Sequence, residues 1–404
     1  MVSHRDNEMN YNLKHEFEAE LQNILDFWST VAVDNVNGGF YGSIDNDNQP
    51  DESALKGLVL NARILWSFAA AYNLNGDASY LETARTSYAY IIKHFIDEEH
   101  GGAYWSVNAN GLPADTKKQI YAIAFAIYAL AEYYQAVPNE KVIELAKGLF
   151  NDIEKHSFDN KRGGYLEAFT RNWQPIADLR LSDKDANEKK TMNTHLHILE
   201  AYTNLYRIWP DGFLKDQIIG LIENFTQHIV NKNTHHLDLF FDEDWQVRSN
   251  IISYGHDIEA SWLLLEAAEV IHDEELISQI KELSVKMAEA SVEGIEPNGA
   301  MNYEYEADKN HLIAEKHWWV QAEALVGLLN AYELSGQHRF YDDFLNVWGY
   351  IKQHIINHKN GEWFWGINPD GSIMQGEDKA GFWKCPYHNS RACMEVIKRL
   401  DKLS

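Results

Sequence analysis

The sequence has little cysteine, few basic residues and no long apolar run. Its 404 residues include two cysteines, Cys385 and Cys393, which exclude a disulfide framework and a CxxC metal site. Lys and Arg total 35 against 61 Asp and Glu, and the net charge of −26 would repel nucleic acids and anionic membranes. No stretch is apolar enough to span a bilayer, and the N-terminal MVSHRDNEMNYNLKHEF lacks an apolar signal region. We therefore expect a cytoplasmic protein with no nucleic-acid or membrane partner.

The composition is that of a globular protein with many aromatic residues. Hydrophobic residues make up 45% and charged residues 24% of the chain. The length suggests two or three domains, although a closed barrel of this length can be one domain. The 13 Trp and 21 Tyr fit either dense packing or a sugar-binding cleft, because the C–H faces of sugars stack on aromatic rings.

A glycine followed by alternating aromatic residues recurs through the chain. It occurs at 37–47, 100–111, 162–173, 298–310 and 360–371. The glycines of the first three segments are 63 and 62 residues apart, and those of the last two are again 62 apart. The 135 residues between the third and fourth glycines leave room for two units, and residues 235–246 keep the aromatic pattern there without a glycine. The pattern predicts six turns that each lead into a short strand or hairpin.

Two helical patterns separate successive segments. Apolar residues recur at i, i+3, i+4 and i+7 in 55–74 and 79–95, and again in 119–136 and 140–156. The first helix of each pair is apolar nearly all round and the second has a charged face, as expected of an inner and an outer helix. Six such pairs predict either an open solenoid or a closed ring. Because no polar capping repeat is present, we predict an all-α (α/α)6 barrel, with short β-hairpins at one end, that forms a single domain over residues 1–404.

If the inner helices surround one axis, residues near the same end of each should converge on one cavity. These residues are Arg63, Tyr121, His197, His256, Trp319 and His388. His-x-x-Glu occurs twice, 59 residues apart, at matching places in successive inner helices (His197 with Glu200, and His256 with Glu259). We interpret the repetition as one device used twice.

Each of these residues also has a structural explanation. A histidine at a helix start is more often structural than catalytic, and Arg63 alone fits a buried ion pair. The neighbouring Trp318 and Trp319 fit core packing. His195 and His197 cannot share a helix face, so at most one of them points at the axis. His-x-x-Glu can bind a metal, but without HExxH, clustered cysteines or a second carboxylate at ligand spacing we predict no metal.

Four long motifs resemble the cellobiose 2-epimerases, within the N-acylglucosamine 2-epimerase superfamily. They are TMNTHLHILEAYTNLYR (191–207), SYGHDIEASWLL (253–264), WWVQAEALVGLLNAY (318–332) and WKCPYHNSRACMEVIKRL (383–400). The likeness extends from about residue 15 to residue 400 and includes AFTRNW at 168–173. It implies an (α/α)6 barrel that epimerises C2 of the reducing-end sugar of a β-1,4-linked disaccharide, such as cellobiose, lactose or mannobiose. We expect a monomer that needs no cofactor.

The resemblance also implies roles for individual residues. Removing the C2 proton from one face and returning one to the other requires two acid/base groups, which would be His256 and His388. Glu259 would orient His256 and favour its protonated form, Arg63 would stabilise the developing oxyanion, and His197 would hold sugar hydroxyls or assist ring opening. The predicted substrate-binding residues are Tyr121, Asp185, Asn193, Trp262, Trp319, Glu323 and Trp383. Trp383 would be the stacking platform.

Other functions remain open on the sequence alone. An N-acylglucosamine 2-epimerase or a mannose-type aldose–ketose isomerase would use the same enediolate. An (α/α)6 glycoside hydrolase would need two carboxylates flanking a glycosidic bond, for which Glu259 and Glu323 are the candidates. A non-catalytic sugar-binding protein would not need both His256 and His388.

Overall fold

The computed structural model describes residues 4–403, in which α-helices alternate between an inner and an outer ring. The inner helices are α2 (Leu58–Asn75), α4 (Ile120–Ala136), α6 (Met192–Ile208), α8 (Tyr254–Val270), α10 (Trp318–Ser335) and α12 (Tyr387–Leu403). The outer helices are α1 (His4–Thr30), α3 (Ala78–His94), α5 (Glu140–His156), α7 (Gly212–Asn224), α9 (Glu274–Ser291) and α11 (His338–Tyr350). Short π-helical turns continue α7 (Phe225–Ile229) and α11 (Ile351–Ile355).

The inner ring is closed. Each inner helix packs against the next one, and α12 packs against α2. The outer partner of α12 is α1, so the first and last helices complete the sixth pair. This closure confirms the predicted (α/α)6 barrel, whereas a solenoid would leave its end repeats without a neighbour.

Burial follows the periodicity of the sequence. The inner helix α4 buries 13 of its 17 residues, whereas the outer helix α5 buries five of 17 on one face. Four outer helices begin with a side-chain cap, such as Asp77, Asn139 and Asp273, which accepts hydrogen bonds from first-turn N–H groups. Most inner helices lack such a cap, and a hairpin carbonyl accepts the first N–H instead, as Trp105 does from Leu58 and Glu167 from Ile120. This bond ties each hairpin to the start of an inner helix.

Six hairpin turns lie where the inner helices begin. Their closing bridges are Val33–Phe40, Ile96–Ala103, Phe158–Tyr165, Val230–Leu237, Ile295–Met301 and Ile356–Trp363. Two residues before the second residue of each closing bridge, the backbone has a left-handed φ. In the fourth turn, which has no glycine, His235 adopts this conformation with a φ of 62°. Gly164 tolerates no side chain, since a Cβ there would lie 2.4 Å from Trp245. The sequence pattern matched Gly299 and Gly361 with Gly39. The closing bridges instead match them with Gly38, one residue earlier in the turn.

Short antiparallel strand pairs join neighbouring repeats. The pairs are β1 (Lys56–Gly57) with β2 (Ser106–Val107), β3 (Lys118–Gln119) with β4 (Ala168–Phe169), β5 (Lys190–Thr191) with β6 (Phe240–Phe241), and β10 (Lys316–His317) with β11 (Gly366–Ile367). A bridge between Ile44 and Ala380 joins the last repeat to the first. Before α8 the pattern is enlarged to a three-stranded sheet of β7 (Ile251–Ser253), β8 (Glu304–Glu306) and β9 (His311–Ile313).

Buried lysines fasten several of these strands to the hairpin turns. Lys56 donates to Asp34 and Lys118 donates to Asp97, each at 2.7 Å and with both partners buried. The Asp34 carboxylate also accepts from two N–H groups of its own turn. A buried pair of this kind adds little net stability, but removing one partner leaves the other charge buried and uncompensated. The repeated pairs therefore hold each turn in one place relative to its inner helix.

No helix within residues 4–403 is both long and apolar enough to cross a membrane. The most apolar helices, such as α4, are buried against other helices of the ring. Their apolar character is accounted for by packing inside the barrel.

Candidate active site

A cavity of about 700 Å³ lies at the end of the barrel where the inner helices begin. Ten of the twelve predicted site residues line it: Arg63, Tyr121, Asp185, Asn193, His197, His256, Glu259, Trp319, Trp383 and His388. The structure thus brings residues from all six inner helices to one cavity. Their individual roles stay predictions.

Trp262 and Glu323 do not line this cavity. They lie about 9 Å and 6 Å further along their helices than His256 and Trp319, because an α-helix rises about 1.5 Å per residue. The Trp262 indole N–H donates to Glu323 at 3.1 Å, and both side chains are buried. They lie behind the residues that face the cavity, and their contact with a sugar stays a prediction.

His388 is held by Glu323. Burial alone would raise the pKa of Glu323, but Arg391 and His388 lower it to about 2, so the carboxyl group is ionised. Nδ1 of His388 lies 2.7 Å from this carboxylate and must be its donor, because a carboxylate only accepts. Burial lowers the pKa of His388 to about 3 despite Glu323. The ring is therefore neutral, with the lone pair on Nε2.

His256 is held by Ser253 and not by Glu259. Nδ1 of His256 lies 2.7 Å from the Ser253 hydroxyl. Burial, with the nearby His197 and His388, lowers the pKa of His256 to about 3. The expectation that Glu259 favours the protonated form of His256 therefore does not hold. The ring centres of Trp319 and His256 are 4.6 Å apart. Gly255 leaves room for this indole, because a Cβ at Gly255 would lie 2.6 Å from it.

The two His-x-x-Glu pairs differ in the structure. Nδ1 of His197 lies 3.1 Å from Glu200, whose pKa is lowered because Arg391 and His197 outweigh its burial. The first pair thus forms within its helix and the second does not, so the expected repeated device was wrong. His195 faces away from the cavity: its Nε2 accepts the N–H of Tyr165 and its Nδ1 donates to the Thr191 carbonyl oxygen. This agrees with the prediction that His195 and His197 point in different directions.

Arg391 joins three helices below the cavity, and sequence reasoning missed it. Its Nη2 donates to Glu259 at 2.9 Å and to Glu323 at 2.5 Å, and its Nη1 donates to Glu200 at 3.2 Å. The Tyr387 hydroxyl also donates to Glu200. Burial and the charge of Glu323 raise the pKa of Glu259 well above its usual range, which favours its protonated form. The signal in the sequence was one arginine three residues after His388, on a buried face of α12.

Arg63 and Tyr121 form a pair on the cavity wall. Nη2 of Arg63 donates to the Tyr121 hydroxyl at 2.7 Å, and Nη1 donates to the Trp383 carbonyl oxygen at 3.3 Å. Although burial opposes its charge, contacts with Tyr121 and Cys385 raise the pKa of Arg63. The structure places a permanent cation against the cavity, next to Trp383.

The hairpins add a second set of lining residues that sequence reasoning missed. Each lies two positions after the second residue of a closing bridge. Four residues at this position line the cavity: Glu167, Leu239, Tyr303 and Trp365. Burial raises the pKa of Glu167 to about 8, and the hydroxyls of Thr191 and Thr194 donate to it. Tyr303 stacks on His317 with ring centres 3.9 Å apart. Comparing the same position across the six repeats would have found this set.

The predicted absence of a metal rested on local spacing, which was an incomplete test. The structure brings the ligand atoms of His197, Glu200 and Glu259 within 4.8 Å of one another, and likewise those of Glu259, Glu323 and His388. These ligands come from four helices, so no motif reveals them. Arg391 donates to all three glutamates and so already supplies a cation to the groups that would hold a metal.

The geometry is suited to moving protons. Two neutral imidazoles, His256 and His388, contact the same indole of Trp319, with ring centres 4.6 and 5.6 Å away. A neutral imidazole has a lone pair that can accept a proton, and at His388 the Glu323 carboxylate stabilises the cation that forms. The Arg63 guanidinium can stabilise negative charge that develops beside them.

Comparisons with known proteins agree with this arrangement. The sequence model of the family described as N-acylglucosamine 2-epimerase (GlcNAc 2-epimerase) matches residues 39–392. The cellobiose 2-epimerase of Bacteroides fragilis is 52% identical over 95% of this chain and 98% of its own. The structure of the cellobiose 2-epimerase of Bacillus thermoamylovorans superposes with a TM-score of 0.91 at 38% identity, covering 96% of this chain and all of the other. The D-mannose isomerase of Marinomonas mediterranea is 23% identical over 96% of this chain and 98% of its own.

Proposed function

The chain belongs to the N-acylglucosamine 2-epimerase family, and we propose that it is a cellobiose 2-epimerase. It inverts C2 of the reducing-end glucose of β-1,4-linked disaccharides, converting cellobiose to glucosyl-mannose and lactose to epilactose. The observation that carries the proposal is the pair of neutral imidazoles, His256 and His388, which both contact Trp319 in one cavity. The relatives named cellobiose 2-epimerase support the choice of substrate.

The reaction begins with an opened reducing-end sugar, whose C2 proton is acidic because C2 is next to the aldehyde carbonyl. One imidazole removes this proton and an enediolate forms. The other imidazole, which must first take a proton from solvent and become an imidazolium, returns that proton to the opposite face of C2, which inverts the centre. This proton transfer requires no cofactor.

The supports of the two imidazoles suit an enzyme that works in both directions. Glu323 fixes Nδ1–H of His388 and stabilises the imidazolium that forms when Nε2 takes a proton. Ser253 can donate or accept, so His256 can present either a lone pair or an N–H group to the sugar. Arg63 stabilises the enediolate, and His197, held by Glu200, binds hydroxyls during ring opening.

We also propose a single-domain monomer that acts in the cytoplasm on cellobiose, lactose and mannobiose. Both cysteines are buried and unpaired, as in a reducing compartment. The exposed large apolar side chains, such as Val36, Leu112 and Phe213, belong to different segments of the chain.

The alternatives receive less support. The two carboxyls considered for a hydrolase, Glu259 and Glu323, both bind Arg391, and only Glu259 reaches the cavity. They cannot flank a glycosidic bond as hydrolysis requires. An aldose–ketose isomerase would use the same enediolate and return the proton to C1, so its product distinguishes it from an epimerase.

The direct test is the reaction of cellobiose in heavy water without an added cofactor. Proton NMR should show glucosyl-mannose with deuterium at C2, because a histidine exchanges its proton with solvent before returning it. The proton removed by one imidazole is not the one delivered by the other, so the label should be nearly complete.

Parallel incubations with lactose, mannose and N-acetylglucosamine serve as the comparison. Epimerisation of N-acetylglucosamine or conversion of mannose to fructose, without reaction of cellobiose, would assign the chain to another member of the family. A cellobiose product with full protium at C2 would contradict proton exchange through His256 and His388.

We expect activity to survive dialysis against a strong chelator. Arg391 neutralises the carboxylates that would otherwise attract a divalent cation, and the proposed proton transfers need no Lewis acid. The measurement is the epimerisation rate before and after dialysis, with bound metal followed by mass spectrometry. Loss of activity that a divalent ion restores would show that one of the two His–Glu groups holds a metal.

A further inference from the structure

The chain enters α12 differently from the way it enters the other inner helices. Each of α2, α4, α6, α8 and α10 directly follows a short strand that is paired with a neighbouring strand. In the described part of the chain no strand leads into α12, which follows an irregular stretch, the connecting segment (residues 381–386). The backbone of this segment bonds to itself, from the Gly381 N–H to the Lys384 carbonyl oxygen at 2.9 Å. Strand pairing therefore does not fix the connecting segment.

Arg63 is held by this segment. Its Nη1 donates to the carbonyl oxygen of Trp383 at 3.3 Å and lies 3.7 Å from the sulfur of Cys385. Its Nη2 donates to the hydroxyl of Tyr121 at 2.7 Å. None of these three partners is a carboxylate, and two of them belong to the connecting segment. The position of the guanidinium therefore depends on where that segment lies.

Lys384, between the two residues that contact Arg63, anchors the segment to the sixth hairpin turn. Its side chain is fully buried, and its Nζ donates to Glu362 at 3.1 Å. The Glu362 carboxylate also accepts the indole N–H of Trp28, the backbone N–H of Trp363 and the side-chain amide of Asn389. Glu362 is thus fixed from α1, from its own turn and from α12. Lys384 transmits this fixed position to the connecting segment.

The same kind of ion pair has less to do in the other repeats. Lys56 binds Asp34 and Lys118 binds Asp97, but each of these lysines lies in a strand that is also held by its pairing. A buried ion pair contributes little net stability, so its main consequence is to fix the groups that it joins. Where strand pairing is absent, that consequence is largest.

We propose that Lys384 and Glu362 are a positioning pair for the reaction: they fix the connecting segment and thereby hold the Arg63 guanidinium where negative charge develops. The inference rests on the proposed function, because it assigns Arg63 to the enediolate. Neither Lys384 nor Glu362 lines the cavity, so both act through Arg63 rather than on the sugar. Their loss should therefore affect the chemical step, which requires a preorganised cation.

The first test is a double-mutant cycle between Lys384→Met and Arg63→Met. Lys384→Met keeps an apolar side chain and removes the charge, and it should lower kcat for cellobiose epimerisation about ten- to a hundredfold by displacing Arg63. In the Arg63→Met background the same substitution should lower kcat less than about twofold, because the group that it positions is already gone. Equal factors in the two backgrounds would overturn the inference, since Lys384 would then act on the fold and not through Arg63.

Lys56→Met is the matched control. It breaks the same kind of buried pair, with Asp34, but leaves β1 paired with β2. It should lower the urea midpoint of unfolding as Lys384→Met does, yet keep kcat within about threefold of the wild type. A loss of kcat in Lys56→Met as large as that in Lys384→Met would contradict the proposal, because any broken buried pair would then suffice.

Cys385 reports the position of the connecting segment without catalysis. Cys385 and Cys393 are the two cysteines of the chain, and both are buried, so iodoacetamide should alkylate the wild type slowly. In Lys384→Met the alkylation of Cys385, located by mass spectrometry of peptides, should be about tenfold faster or more, because the segment opens locally. The rate at Cys393 should not change, and both rates should stay at wild-type values in Lys56→Met. An unchanged rate at Cys385 would overturn the inference.

The alkylation also separates the inference from the proposed function. If the wild type makes no epimer from cellobiose, the proposed function fails, and the rate at Cys385 alone decides whether Lys384 fixes the segment. If Lys384→Met does not fold, the double variant Lys384→Met/Glu362→Gln carries both tests, because it leaves no uncompensated buried charge. It should show the same loss of kcat and the same faster alkylation, and wild-type values for either would contradict the positioning role.

Discussion

Replacing either His256 or His388 with alanine should lower kcat for cellobiose epimerisation by about 10²- to 10⁴-fold, the usual contribution of a positioned acid/base group. Each imidazole serves one face of C2, so neither variant can complete the inversion. The helical circular dichroism should stay near that of the wild type, since both rings border a cavity and the helices carrying them are held by apolar packing. The measurement is the initial rate of glucosyl-mannose formation from cellobiose.

The two variants should also differ in hydrogen exchange. Each retains the imidazole that removes the C2 proton of one epimer, so each should exchange deuterium into only one epimer in heavy water. The two variants should do so with opposite epimers. His338→Ala, at an exposed position on the outer helix α11, is the control and should behave as the wild type. A variant of His256 or His388 that keeps a tenth or more of the activity would contradict the two-base assignment.

Replacing Arg391 with methionine should destabilise the protein by about 3–5 kcal/mol and abolish epimerisation. The guanidinium is the shared donor to Glu200, Glu259 and Glu323, and removing one member of a buried ionic cluster leaves the others uncompensated. Glu323 would then no longer hold Nδ1 of His388 with a stable negative charge. The free energy of unfolding, from urea denaturation, and the epimerisation rate measure the two effects.

The stability loss should depend on pH. In the wild type the pKa of Glu323 is lowered to about 2, so its contribution to stability is present above its unfolded pKa of 4.5 and is lost as the pH falls toward 2. In Arg391→Met the buried carboxyls should have raised pKa values, and protonating them should relieve part of the loss. The difference between wild type and variant should therefore be smaller at pH 5.5 than at pH 7.5. Arg339→Met, which removes an exposed ion pair with Glu289, should cost at most about 1 kcal/mol, and an equal loss in both variants would contradict the central role of Arg391.

The fold could be predicted because its signals repeat. Helical periodicity depends on residues three and four apart, and a turn depends on a few adjacent residues. Repetition at about sixty residues then shows which helices are equivalent, as with α4 and α6. The turn at His235 shows the limit, because a non-glycine residue adopts the left-handed conformation there and interrupts the glycine pattern.

The site was only partly predictable. Position within a repeat identified His197, His256 and His388 as residues that share one cavity. It did not identify their supports, because those lie on other helices or strands. Glu323, expected to contact the sugar, supports His388. Ser253 begins the motif at 253–264 but was given no role, and it supports His256 in place of Glu259.

By itself the sequence determined the six repeats, the inner and outer helices, the family and the residues that face the axis. These follow from local periodicity and from the place of each residue within its repeat. The tertiary structure alone decided which carboxyl holds which histidine, that Arg391 binds three glutamates, and that Lys384 binds Glu362. Hydrogen bonds and ion pairs form only within about 3–4 Å, and whether side chains from separate helices come that close depends on how the helices pack.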